Sequence, residues 1–121
     1  MPDLPLTGVT VLVVEDEYFL ADDLKGALID HGATIVGPVA TVEDARQLAQ
    51  MASLDFAILD VNLKGEMVFA LADDLDDRGI PFIFVTGYDA ATIPPKYQER
   101  LRLQKPFSER AVIDSVISGL P

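Results

Sequence analysis

Phe56-Ala57-Ile58-Leu59-Asp60 decides the fold: four apolar residues in a row, without polar alternation, that stop at a carboxylate. A continuous apolar run of this length suits a strand covered on both faces, as in a parallel sheet flanked by helices. Strands of such sheets present functional groups at their carboxyl ends, which places Asp60 at the mouth of the sheet. Val9-Thr10-Val11-Leu12-Val13-Val14 is a second run of this kind and ends in Glu15 and Asp16. Two buried strands therefore deliver three carboxylates to one edge.

Outward from these strands, strand-type and helix-type segments alternate along the whole chain, the pattern of βα units on a parallel sheet. Leu20, Leu24, Ala27 and Leu28 form an apolar stripe on a helix over about 18–31, with Gly32 at its C-terminal end and His31 in its last turn. As a lone histidine without a nucleophile or ligand partner, His31 reads as a helix-end residue. Residues 33–39 read as a shorter strand, and Gly37-Pro38 puts it at an edge. Thr41 is an N-cap candidate for a second helix that buries Ala45, Leu48, Ala49 and Ala52. A loop over 61–66, turned by Gly65, leads to a third helix over about 67–78 with Val68, Leu71, Ala72 and Leu75 inward.

Pro81-Phe82-Ile83-Phe84-Val85-Thr86 is the fourth strand, and the rhythm then breaks. From Tyr88 to Arg100 there is little amphipathic stripe, and Pro94-Pro95 permits at most a short helix starting at Pro95. A fifth strand over about 101–104 runs into Lys105-Pro106. Ser108 is an N-cap candidate for the last helix, expected to bury Ile113, Val116, Ile117 and Leu120.

A chain of 121 residues suits one domain with a real core. We expect a tail over 1–7, a folded core over 8–120 and no second domain. The longest apolar runs are strand-sized, so no membrane span is expected, and the absence of a secretory pattern near the N-terminus makes the cytoplasm the expected location. With no cysteine there is no thiolate chemistry. A formal net charge of −11 opposes binding to nucleic acid or to an anionic membrane. Asp73, Asp74, Asp76 and Asp77 read as a solvated helix face without a function of their own.

Chemistry gathers at the strand ends, where Glu15-Asp16, Asp60, Thr86 and Lys105 converge. Two like charges about 4 Å apart cost on the order of 4 kcal/mol at an effective dielectric near 20, so three carboxylates call for a cation or a proton. An all-oxygen set favours a hard divalent ion, Mg²⁺ first and Mn²⁺ as a possible substitute. Asp60 then has the makings of a nucleophile toward a phosphoryl donor. Lys105 and the Thr86 hydroxyl are placed to meet phosphoryl oxygens, and Gly87 leaves room for a donor. The Lys105-Pro106 bond has ready access to a cis geometry that would aim the lysine at the site.

The acid pair after strand one, the Asp ending strand three, the Thr ending strand four and the Lys-Pro after strand five together resemble the receiver domain of two-component response regulators, over essentially the whole chain. The resemblance implies a flavodoxin-like sheet of five parallel strands in the order 2-1-3-4-5 with helices on both faces. It implies that Asp60 accepts a phosphoryl group from a histidine kinase or histidine phosphotransfer protein. It further implies that Glu15, Asp16, Asp60 and the Asn62 backbone carbonyl hold Mg²⁺, while Thr86 and Lys105 hold the phosphoryl group. Output would pass through protein contacts or phosphate relay, with the chain a signalling domain that assists its own phosphorylation and dephosphorylation.

Two features depart from the usual receiver. Leu103 stands where an aromatic residue is usual two positions before the lysine, and the fourth helix is expected to be shortened or missing. With Phe84-Val85-Thr86-Gly87-Tyr88, these resemble a stand-alone subgroup marked by a Phe-x-Thr-Gly-Tyr motif. Tyr88 and the loop to Gln98 are then expected to be the moving part, with Gly87 and Pro106 as further switch residues.

Other functions fit less well. An aspartyl-nucleophile phosphatase usually wants a second Asp where Asn62 stands. A flavin-binding domain wants a hydroxyl- and Gly-rich loop where Glu15-Asp16-Glu17 stands. A receiver fold working only as an unphosphorylated interaction module has no need of the full acid, Thr and Lys set.

Overall fold

The computed structural model describes residues 4–87 and 93–121. Five parallel strands form the central sheet: β1 (Thr10–Val14), β2 (Thr34–Val39), β3 (Phe56–Asp60), β6 (Phe82–Thr86) and β7 (Arg102–Gln104). Their spatial order is β2-β1-β3-β6-β7, which is 2-1-3-4-5 when the sheet strands are counted along the chain. Four α-helices flank it: α1 (Tyr18–Asp30), α2 (Val42–Met51), α3 (Phe69–Asp77) and α4 (Glu109–Gly119).

The unbroken apolar runs take the central places. Every residue of β3 and of β6 is buried, and strand pleating sends alternate side chains to opposite layers. Leu12, Val14, Ala57, Leu59, Phe82 and Phe84 face α2 and α3, whereas Val11, Val13, Phe56, Ile58, Ile83 and Val85 face α1 and α4. Full burial of such side chains stabilises the fold by about 1.5–3 kcal/mol each.

The helix starts at Thr41 and Ser108 form as expected: the Thr41 hydroxyl accepts from the Asp44 N–H at 3.1 Å and the Ser108 hydroxyl from the Ala111 N–H at 3.1 Å. In α4, however, the buried residues are Val112, Ile113 and Val116, while Ile117 is 45% exposed. The stripe is centred toward Val112, which rotates Ile117 out of the contact. The stretch expected as a tail also contributes to the core, since Leu6 is fully buried and its N–H donates to the His31 carbonyl at 2.8 Å.

Residues 61–66 are not an irregular loop. Strands β4 (Asn62–Leu63) and β5 (Glu66–Met67) pair as a small antiparallel hairpin. Its turn residues Lys64 and Gly65 have φ of 52° and 91°, the positive values that a type I′ turn demands. The Asn62 side-chain oxygen accepts from the Gly65 N–H at 2.7 Å and holds the turn. Helix α3 consequently starts at Phe69, later than the apolar pattern suggests.

Between β6 and β7 the described residues contain one short 3₁₀ helix, Pro95–Tyr97, in place of a full helix. Tyr97 is only 1% exposed and its ring contacts Phe69, Phe82 and Phe84 at centroid separations of 6.3, 5.9 and 5.5 Å. Its hydroxyl donates to Asp73 on α3 at 2.5 Å. Burial, followed by the contact with Asp73, raises the phenol pKa above its ordinary value. Lys96 pairs with Asp73 at 2.6 Å and Arg100 with Asp76 at 2.6 Å, so the acids of α3 bind the segment that replaces the helix. Asp74 pairs with Arg46 of α2 at 2.7 Å.

Candidate active site at the carboxyl ends of the strands

Three strand ends build the site. β1 runs into Glu15, whose N–H donates to the Val39 carbonyl at 3.0 Å, and β3 ends on Asp60 itself. Where β6 meets the chain after β7, the Lys105 N–H donates to the Thr86 carbonyl at 2.8 Å. This bond sets the lysine beside the threonine although nineteen positions separate them in sequence. Glu15, Asp60 and Thr86 are 3%, 4% and 3% exposed, so the polar groups stand at the end of a dry sheet.

Carboxylate oxygens of Glu15, Asp16 and Asp60 lie within 4.8 Å of one another. The Lys105 ammonium sits among them, with Nζ 3.0 Å from Asp60 Oδ2, 3.2 Å from Glu15 Oε1 and 3.0 Å from Glu17 Oε2. Burial lowers the Lys105 pKa, but the bonds to Glu17 and Asp60 and the charge of Glu15 outweigh it, and the net direction is upward. Glu15 shows the opposite balance. Burial and the neighbouring Asp60 push its carboxyl up to about 8, against the partial relief given by the Glu17 N–H and Lys105. Its Oε1 accepts no hydrogen bond, even with Lys105 at 3.2 Å, and is thus a buried oxygen with unused lone pairs.

Asp60 Oδ1 accepts from the Asn62 N–H at 3.1 Å, which orients the carboxylate and starts the hairpin. An open cavity of about 410 Å³ lies in front, lined by Asp16, Glu17, Asp60, Asn62, Thr86, Gly87 and Lys105, with Lys64 also at its wall. The Lys105-Pro106 peptide is cis. Every expected site residue within the described stretches falls in or beside this constellation; Tyr88 lies outside the described residues.

Leu103 is partly buried against the layer of α1 and α4. The later part of the stretch expected to move is anchored, with Ile93 and Tyr97 only 2% and 1% exposed. Sequence reasoning missed Glu17 and Lys64 as site residues. For Glu17 a signal existed, a third acid directly after Glu15-Asp16.

A parallel five-stranded sheet in the order 2-1-3-4-5, with an acidic cluster, a threonine and a lysine gathered at the carboxyl ends of its strands, defines a flavodoxin-like α/β domain with its candidate site at that edge. The chain matches the response regulator receiver domain family over residues 11–117 and belongs to it. Its relatives include the sensory transduction protein LytT of Bacillus cereus, 30% identical over 110 residues that make up 88% of this chain and 45% of that protein. The transcriptional regulatory protein PdtaR of Mycobacterium tuberculosis is 26% identical, over 88% of this chain and 54% of its own length. The chain thus spans about half the length of the curated relatives it matches.

Among solved structures, SdrG from Sphingomonas melonis Fr1 superposes with a TM-score of 0.78 at 38% identity, covering 95% of this chain and 93% of that one. The response regulator PhyR from Brucella abortus gives a TM-score of 0.82 at 23% identity, over 96% of this chain and 49% of the other, a likeness of fold. Receiver domains of two-component systems interact with histidine kinases or phosphotransfer proteins and act in signalling. Among the described residues no helix is long and apolar enough to cross a membrane.

Proposed function

We propose that the chain is a phosphoacceptor in which Asp60 takes a phosphoryl group from a histidine kinase or histidine phosphotransfer protein in the cytoplasm. Its output is then a contact with a protein target or onward relay of the phosphate. The observation that carries this reading is the placement of Lys105 Nζ 3.0 Å from Asp60 Oδ2 at the floor of an open cavity. A nucleophilic carboxylate beside a fixed ammonium is the pairing that phosphoryl transfer needs, since the protein's task is to position charge rather than to supply covalent chemistry elsewhere.

The residues fit a divalent cation. Three carboxylates from two strand ends offer hard oxygen donors, and the buried Glu15 Oε1, which accepts no hydrogen bond, keeps lone pairs for a metal ion. Glu15, Asp16, Asp60 and the Asn62 carbonyl would hold Mg²⁺, or Mn²⁺ in its place. When bound, the ion supplies positive charge that offsets the carboxylates and the incoming phosphoryl oxygens.

Within the chain the steps are simple. Asp60 forms a bond to phosphorus through one carboxylate oxygen, and the bond to the donor's leaving group breaks with its electron pair on that group. Lys105, whose N–H is bonded to the Thr86 main-chain carbonyl, donates through its ammonium to a phosphoryl oxygen, and the Thr86 hydroxyl donates to a second. Thr86 and Lys105 report the event to the surface, with Gly87, Tyr88 and Pro106 as the switch residues.

Acetyl phosphate with Mg²⁺, followed by intact-mass measurement, tests the reading. We expect one phosphoryl adduct that disappears in Asp60→Asn. A wild-type protein that takes up no label would leave a receiver fold used as an unphosphorylated interaction module, and an adduct that survives the substitution would put the acceptor at a residue other than Asp60.

A further inference from the structure

Resting on Asp60 as the phosphoacceptor, we propose that Glu17 holds Lys105 back from the phosphoryl group and thereby sets the rate of phosphorylation. A lysine ammonium has three N–H donors. All three point to carboxylates here: Asp60 Oδ2 at 3.0 Å, Glu17 Oε2 at 3.0 Å and Glu15 Oε2 at 3.4 Å. For Lys105 to donate to a phosphoryl oxygen, one of these bonds must be surrendered.

The three partners are not equally able to leave. The side chain of Glu15 is 1% exposed and that of Asp60 6%, whereas that of Glu17 is 64% exposed. Water takes over an exposed carboxylate at little cost, and a buried one has no such substitute. Glu17 is therefore the partner that yields, and until it yields it competes with the phosphoryl oxygens for the same ammonium.

Its local role points the same way. Glu17 is the N-cap residue of α1, where an acidic side chain usually accepts from an N–H of the first turn. It makes no such bond. The side chain reaches instead to a lysine eighty-eight positions further on, at the wall of the cavity where a donor enters. The backbone N–H of Glu17 meanwhile donates to Glu15 Oε2 at 3.1 Å and fixes the direction from which its side chain departs.

In the step concerned, an Asp60 oxygen bonds to phosphorus, the phosphorus–oxygen bond to acetate breaks with its electron pair on acetate, and no proton changes place. Lys105 exchanges its bond to Glu17 for one to a phosphoryl oxygen. Glu17 touches neither donor nor acceptor and is a positioning residue acting through Lys105.

Two variants of the full chain test this with acetyl phosphate and Mg²⁺. Glu17→Gln removes the charge, and Glu17→Asp keeps it on a side chain one methylene too short to reach Lys105. We expect both to be labelled roughly two- to fivefold faster than the wild type, the rate equivalent of one exposed ion pair. The advantage should shrink as salt rises. If Glu17→Asp labels at the wild-type rate, the carboxylate acts by repelling the donor and not through Lys105, which overturns the proposal. Equal or slower labelling of Glu17→Gln overturns it as well.

A second readout needs no donor: the Lys105 side-chain ¹⁵N resonance should move in both variants, and an unmoved resonance overturns the tether. Failure of this inference alone is a labelled wild type with unaltered variants. Failure of the phosphoacceptor reading is an unlabelled wild type.

Discussion

Replacing Glu15 by Gln should stabilise the protein in the absence of divalent metal, by an amount that grows with pH. The Glu15 carboxyl sits at about 8 in the folded chain against an ordinary value of 4.5. Between those two values the unfolded chain has released a proton that the folded chain retains. The folded state thus binds more protons, and stability falls as pH rises by roughly 1 kcal/mol per unit across that window. The contribution is fully present below the unfolded value and is lost by the time pH passes the folded one. An amide of the same shape has no such dependence.

Urea unfolding of wild type and Glu15→Gln in a chelator, at steps from about pH 5 to about pH 8, reads the difference directly. Near pH 5 the two proteins should differ little, since a protonated carboxyl and an amide are near-isosteric; toward pH 8 the variant should lead by up to several kcal/mol. Adding Mg²⁺ at the upper end should stabilise the wild type more than the variant, because the variant keeps Asp16 and Asp60 but offers the ion one carboxylate fewer. Stability curves that run parallel across the whole range would refute the argument, since Glu15 would then ionise equally in both states.

Three further outcomes follow from the packing. Tyr97→Ala should cost about 3–5 kcal/mol in thermal or urea unfolding, as for other buried aromatics, whereas Tyr97→Phe, which keeps the ring and loses the bond to Asp73, should cost about 1 kcal/mol. Gly119→Ala should destabilise by roughly 1–3 kcal/mol despite the better helix propensity of alanine, because the new Cβ would lie 2.6 Å from the Phe56 ring; a stabilised variant in calorimetry would contradict the contact. Thr41→Ala should cost about 1 kcal/mol through the lost cap on α2, with Thr41→Ser restoring most of it.

What the sequence disclosed tracks how regular each segment is. The runs ending in Asp60 and Thr86 could be assigned because strands buried on both faces leave no polar residue to confuse the pattern, and both site residues sit at their last positions. The caps at Thr41 and Ser108 were legible because hydrogen bonding in the first helical turn is local. Tyr97 was not. It lies in an irregular stretch with no period to set its phase, and it is buried by Phe69, Phe82 and Phe84 from elsewhere in the chain.

The hairpin over 62–67 was missed because each of its strands has two residues, too short for alternation to register. Ile117 was misplaced by a rotation of less than half a helical turn, since α4 meets the sheet from the side of Val112. The link between Glu17 and Lys105 joins residues far apart in sequence, and charge alone does not say which acid a lysine selects.

The two outer strands limit how this molecule can assemble. At one border, β2 carries Pro38, which has no N–H to offer, and Gly37, where an added Cβ would lie 2.9 Å from the Val13 carbonyl oxygen; its pairing with β1 shifts register between Leu12 and Val14. At the other border, β7 is only three residues long. Neither offers a straight row of free backbone groups for another chain to continue. Enlarging the sheet by adding strands is therefore disfavoured at both margins, and association is directed to the helical flanks or to the end where the carboxylates gather.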